Sequence, residues 1–204
     1  MKPVKYEKAL EYLSKNDKTL STIIKNNNIC NLKTRKDYFN SILEAIIGQQ
    51  LSVKAADSII RRFYAHFGSN PQPADILASP HDFLRSLGLS NAKAKYVKDL
   101  SDKIIKNEIS LSGLEKLNDE DVIAELVKVK GIGTWTAHMF LIFTLGRPDV
   151  LPTGDLGLKK SIMFNYKLKA MPSEEKVAKI SKKYGWAPFN SIASLYLWKS
   201  LDNK

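Results

Sequence analysis

In 204 residues there is one cysteine, Cys30, and there are three histidines, His66, His81 and His138. A single thiol excludes an internal disulfide, a four-cysteine zinc site and a cysteine-held iron–sulfur cluster. The histidines show no ligand spacing of the His-Glu-x-x-His kind, so no resident catalytic metal is expected. Apolar runs are short: none approaches the roughly 20 residues that span a bilayer. Met1-Lys2-Pro3-Val4-Lys5 leads into no signal-type apolar stretch. The expectation is a protein without a membrane partner, acting inside the cell, in cytoplasm or nucleoid or in a nucleus. Acidic residues are the scarcer charge, 21 against 32 Lys and Arg, for a net charge of +11. That balance suits an anionic polymer or an acidic surface, nucleic acid being the better fit. Repeats, low-complexity tracts and long linkers are missing too, so one domain over residues 1–204 is expected.

What is present is helical periodicity almost throughout. Phe39, Ile42, Leu43, Ile46 and Ile47 follow the spacing of one buried helix face ending near Gly48. Val53, Ala56, Ile60, Phe63 and Phe67 define the next, with Ser52 as N-cap and Gly68 as stop. Asn70-Pro71-Gln72-Pro73 reads as a connector, and Ser79-Pro80 as an N-cap followed by proline at the first helical position. Ala94, Val97, Leu100, Ser101, Ile104 and Ile105 mark a helix whose lysines, Lys93, Lys95, Lys98, Lys103 and Lys106, read mostly as a solvated face. Later helices are predicted over 156–166, 174–184 and 189–201. The fold class is all-α, with about ten helices.

Between two apolar helical patterns lies Val129-Lys130-Gly131-Ile132-Gly133-Thr134. Glycines let the chain turn with positive φ and bring N–H groups close to an anion. Asn118 is placed to cap the helix entering the turn and Thr134 the helix leaving it. A helix-hairpin-helix fits residues 119–146 or so, gripping DNA phosphates at the N-terminus of its second helix without reading bases. An ordinary αα-hairpin with a glycine C-cap fits the same local pattern. Past Pro152, a single Asp155 stands at a helix start, where it reads either as an N-cap or as a reacting carboxylate.

Taken together, Val129 to Ala137, Leu151-Pro152-x-x-Asp155-Leu156, Asn16-Asp17-x-x-Leu20, Ile46 to Ser52, Gly88 to Tyr96, and Trp186-x-Pro188-Phe189 with Tyr196-Leu197-Trp198 resemble the helix-hairpin-helix (HhH-GPD) DNA glycosylase superfamily, alkylpurine branch. The resemblance implies a two-lobed helical fold and 3-methyladenine DNA glycosylase II activity. Strand-cleaving relatives carry a lysine nucleophile where this chain has Trp135; without that amine no Schiff base forms, and a monofunctional glycosylase follows. The implied partner is double-stranded DNA containing damaged bases, bound by a monomer. No cofactor is implied beyond a monovalent cation that carbonyls of the hairpin could hold.

On that reading Asp155 stabilises the oxocarbenium-like sugar and orients water, while an alkylated, cationic purine leaves without a strong acid. Gln50 resembles the family's plug for the vacated stack, with Leu51 beside it and Ser52 near the minor groove; a plain helix–turn–helix corner capped by Ser52 is the competing reading. Trp135 and Phe189 fall at the aromatic walls of the base pocket, with Trp186 a second candidate, although core packing suits Trp186 and Trp198 better. Phosphate contacts are assigned to Lys130, Gly131, Ile132, Gly133, Thr134, Lys159 and Lys160. His138 and Met139 stand where relatives are often acidic or aromatic, and Ser161 replaces a frequent glycine. Two rival functions stay open: a glycosylase for deaminated or oxidised bases on the same fold, and a non-catalytic protein that only recognises lesions.

Overall fold

The computed structural model describes residues 6–27, 32 and 34–201. Cys30 and Met1 to Lys5 lie outside the described residues. Among those described, the chain forms α1 (Tyr6–Asn16), α2 (Lys18–Lys25), α3 (Tyr38–Gly48), α4 (Val53–Phe67), α5 (Pro73–Ala78), α6 (His81–Ser86), α7 (Asn91–Ile105), α8 (Asp119–Leu126), α9 (Thr134–Phe143), α10 (Leu156–Asn165), α11 (Glu174–Lys183) and α12 (Asn190–Lys199), with one short 3-10 turn and no strand. None of these helices is long and apolar enough to cross a membrane.

The helices fall into two compact units. One comprises residues 1–34 and 141–204, the other 35–140. In the first, α12 is buried nearly all round, through Ser191, Ile192, Ala193, Ser194, Tyr196 and Leu197. Its small serines and alanine let α2 and α10 pack against it. Ser161 donates its hydroxyl to Leu197 O at 2.5 Å and so ties α10 to α12. Asp17 caps α2 by accepting from Thr19 N and Leu20 N. The same carboxylate accepts from Tyr166 Oη at 2.5 Å and Trp186 Nε1 at 2.9 Å, wholly out of solvent. Burial and the Asp17 carboxylate push the Tyr166 phenol far above its ordinary value.

In the second unit α7 is the central helix, packed on α3, α5 and α6. Ala94, Val97, Leu100 and Ser101 face inward, as their spacing predicts. Two of its lysines are only partly solvated: Lys98 Nζ donates to Leu77 O at the end of α5, and Lys93 Nζ to two carbonyls at the end of α3. Ser52, Ser90 and Asn118 cap α4, α7 and α8, each worth about 1 kcal/mol. The 70–80 segment corrects the sequence reading. It contains an extra helix, α5, and Ser79 ends it by donating its hydroxyl to Asp75 O at 2.8 Å, leaving Pro80 at the N-cap position of α6.

Candidate functional site

The hairpin lies in the second unit, between α8 and α9. Val129 and Ile132 point into the core with Leu126 and Ala137, and Ile132 N donates to Val129 O at 3.1 Å, which closes the turn. The Ile132 side chain is therefore a core anchor, and its N–H, which the sequence reading offers to a phosphate, is spent within the turn. Gly131 has φ +83°, and a Cβ there would stand 2.1 Å from Tyr96 Cδ2, so both backbone and neighbour require glycine. Gly133 differs: its φ is ordinary and a Cβ would meet nothing within 4 Å. Its carbonyl accepts from Ala137 N at 3.1 Å, which makes Gly133, rather than Thr134, the capping position of α9. Thr134 is the first helical residue, and both are exposed.

Lys130 is divided. Its N–H donates inward to Asp99 Oδ2 at 2.8 Å, while the exposed ammonium lies 3.3 Å from Asp99 Oδ1. Beside the turn, a cavity of about 470 Å³ is lined by Gln49, Gln50, Lys93, Tyr96, Gly131 and Trp135. Trp135 is 44% exposed. Gln49 Nε2 donates to Gly131 O at 2.9 Å and to Thr136 Oγ1 at 3.3 Å. A monovalent cation would be held by carbonyls of this turn, of which Gly131 O already serves Gln49. Among the described residues no three His, Cys, Asp or Glu side chains cluster as metal ligands.

Gln50 and Leu51 form the exposed corner after α3, and Ser52 Oγ accepts from Ala55 N at 3.3 Å. Ser52 thus does cap α4, whatever else it touches.

Asp155 lies in the first unit. Asp155 N donates to Pro152 O at 2.9 Å, a turn that delivers the residue to the N-cap of α10, where its Oδ1 accepts from Leu158 N at 2.5 Å. A second donor converges on Oδ1, the indole Nε1–H of Trp198 at 2.7 Å. That indole stacks on Phe143 with ring centres 5.8 Å apart. At Gly157 a Cβ would stand 3.2 Å from both Asp155 Oδ1 and Trp198 Cδ1, so the missing side chain is what lets the indole close on the carboxylate. The two readings of Asp155 are compatible: it is an N-cap, and it is also a largely desolvated carboxylate, 8% exposed, facing an indole N–H and a helix N-terminus. Trp198, taken for core from sequence, is the residue that reading missed; the one local hint was a glycine at 157 that no turn requires.

The other assigned residues separate. Trp186 is fully buried and spends its N–H on Asp17, so it cannot wall an open pocket. Phe189, half-buried, presents its ring to Tyr12 at 5.4 Å. Lys159 is turned toward Glu174 at 4.0 Å and mostly covered, whereas Lys160 is exposed. Trp135 and Gln50 belong to the second unit; Asp155, Trp198 and Phe189 belong to the first.

Residues 43–186 match the family described as HhH-GPD superfamily base excision DNA repair protein. The chain belongs to that family. It is 32% identical to the alkylbase DNA glycosidase-like protein mag2 of Schizosaccharomyces pombe, over 95% of this chain and 93% of the relative. It is 37% identical over 80% of its length to a longer Bacillus subtilis relative, of which it spans 59%. Among solved structures, the Schizosaccharomyces pombe 3-methyladenine DNA glycosylase Mag1 in complex with abasic DNA is similar with a TM-score of 0.83 and 31% identity, covering 96% of this chain and 97% of that one. The all-α HhH-GPD fold expected from the hairpin and Asp155 motifs is the observed one.

Proposed function

We propose that this HhH-GPD chain is a monofunctional DNA glycosylase that flips alkylated purines, 3-methyladenine and 7-methylguanine, out of duplex DNA and hydrolyses the N-glycosidic bond. The observation that carries the reading is the Asp155 carboxylate, fixed through one oxygen by a helix N-terminus and the Trp198 indole, in a family that repairs DNA by base excision. Alkylation makes the purine a cationic leaving group, so bond cleavage needs no strong acid. It needs a negative group preorganised for the sugar's developing positive charge, and a partner that orients water. Asp155 fills both roles. Trp135, where strand-cleaving relatives have lysine, offers no amine for a covalent intermediate. Its exposed ring offers a cationic base a cation–π contact, on the order of 1–2 kcal/mol when desolvated.

DNA is held by the N-terminus of α9 at Gly133 and Thr134, by Lys130 exchanging Asp99 for a phosphate, and by Lys160. Gln50 and Leu51 fill the vacated stack. The protein works as a monomer on damaged duplex DNA within the cell.

The test is base release from methylated duplex DNA, followed chromatographically for wild type and Asp155→Asn. Free 3-methyladenine from wild type with none from the variant is the expected result. Release by both at equal rates would remove Asp155 from the chemistry. Tight DNA binding without release by either would favour the lesion-recognition reading.

A further inference from the structure

The corner that carries Gln50 and Leu51 is a type II β-turn: Leu51 N donates to Gly48 O at 3.2 Å, Gln49 has φ −51° and ψ 132°, and Gln50 has φ +56°. That third position of a type II turn calls for glycine or asparagine, because a Cβ is crowded at positive φ. Glutamine there is strained. A type I turn over the same four residues would return Gln50 to negative φ, and it differs mainly in the peptide joining Gln49 to Gln50, which is turned over.

Lys93 acts on that peptide. Its ammonium donates to Gln49 O at 2.6 Å and to Ile47 O at 2.8 Å. The first contact exists only in the type II orientation, since turning the peptide over carries the Gln49 carbonyl away. No carboxylate pairs with Lys93 among the described residues, and burial lowers its pKa, so the cation sits here at a cost that two carbonyls offset in part. Lys98, five residues on in α7, makes the simpler arrangement, one carbonyl at the end of α5. The side chain of Gln49 adds a second fastening, to Gly131 O in the hairpin.

We infer that Lys93 is a positioning residue for base flipping: by holding the Gln49 carbonyl it keeps the Gln50–Leu51 turn in its strained type II form, aimed as a wedge and registered against the hairpin. The inference rests on Gln50 and Leu51 being the wedge. Strain kept at an exposed corner and over-determined by part-buried neighbours is what a preorganised inserting element requires.

The test uses duplex DNA with 2-aminopurine, which brightens when unstacked, beside a tetrahydrofuran abasic analogue, together with single-turnover release of 7-methylguanine. Lys93→Met keeps the stem and removes the ammonium. The αL penalty for a residue with a Cβ then goes uncompensated, so fluorescence gain and release rate fall about tenfold. Affinity for undamaged duplex, set by the hairpin, stays within about twofold. Gln50→Asn alone sets the reference for a shortened plug; in that background Lys93→Met lowers both signals by no more than about twofold, because asparagine tolerates positive φ. Undiminished signals in Lys93→Met would overturn the inference. So would a full tenfold loss when Lys93→Met is added to Gln50→Asn, which would make Lys93 a general prop of α3. Gln50→Ala and Leu51→Ala test the wedge itself: if both keep the full fluorescence gain, the wedge reading falls and the inference with it; if both lose it while Lys93→Met does not, only the inference falls.

Discussion

Asp17 and Asp155 are built alike and situated differently. Each caps a helix of the first unit, α2 or α10, and each accepts the indole N–H of a tryptophan from the C-terminal part of the chain, Trp186 or Trp198. Asp17 uses both oxygens, receives a phenol hydroxyl as well, and has no exposed surface. Asp155 keeps a small exposed fraction, with the half-covered Trp198 beside it and a glycine where a side chain would intervene. The same capped, indole-bound carboxylate is an internal joint when sealed, and in the proposed function it becomes the chemical group when a reactant can reach it.

The largest expected effect separates the two by substitution with asparagine. Asparagine caps a helix about as well as aspartate, so Asp155→Asn should fold with a nearly unchanged unfolding midpoint while base release falls by about 10²-fold or more. Asp17→Asn should do the reverse. It loses the charge that four donors address and should cost about 3 kcal/mol, read as a lower midpoint in thermal unfolding, with release per folded molecule retained. Equal loss of activity in both, at temperatures where both are folded, would break the comparison.

The tryptophans should follow their partners. Trp186→Phe removes a buried donor to a buried carboxylate and should lower stability by about 2 kcal/mol, measured by denaturant unfolding. Trp198→Phe should lower stability less and slow single-turnover release by about tenfold, since a carboxylate freed to rotate is misplaced for the sugar. If Trp198→Phe releases base at the wild-type rate, the cap alone orients Asp155.

These pairings were hidden in the sequence, and the reason is physical. Periodicity reports which face of a helix is buried, so α3, α4 and α7 were legible, and N-caps act within three residues, so Ser52 and Asn118 were too. Which tryptophan meets which aspartate depends on contacts 169 and 43 residues apart, and nothing local encodes them. Core packing was the reasonable expectation for both indoles, and it describes only Trp186. Lys93 was hidden likewise, since a lysine stem lies on a polar face whether its ammonium meets water or a carbonyl. The α5 segment was missed because six residues are too few for a period to show, and Ser79 ends a helix with the same hydroxyl that would begin one.

The hairpin glycines carry the comparison into the second unit, with smaller effects. Gly131→Ala places a methyl into the Tyr96 ring at positive φ, and should cost more than about 1–2 kcal/mol in denaturant unfolding. Gly133→Ala meets open space and should leave stability within about 0.5 kcal/mol. Its effect belongs to binding: a methyl standing where a phosphate approaches should weaken affinity for duplex DNA with little dependence on sequence, seen by fluorescence anisotropy. Unchanged affinity in Gly133→Ala would move the phosphate contact elsewhere on α9.

The smallest effect concerns a third carboxylate, Glu44, paired in the second unit with Arg35 at 2.5 Å and accepting from the Tyr64 hydroxyl at 2.9 Å. Burial alone would raise its pKa, but those two hydrogen bonds together with the Arg35 charge hold it below the ordinary 4.5. A folded-state value below the unfolded one means the native state keeps the ionised form longer. The contribution to stability is therefore complete above the unfolded value and is lost as pH falls through the lower, folded one. Arg35 and Glu44 are both partly exposed, so the pair is worth a few tenths to about 1 kcal/mol. Arg35→Met should accordingly lower the midpoint slightly at neutral pH and flatten its decline below pH 4.5, where wild type and variant converge. A constant difference between them down the acid limb would show that Arg35 acts through packing of its stem rather than through the Glu44 charge.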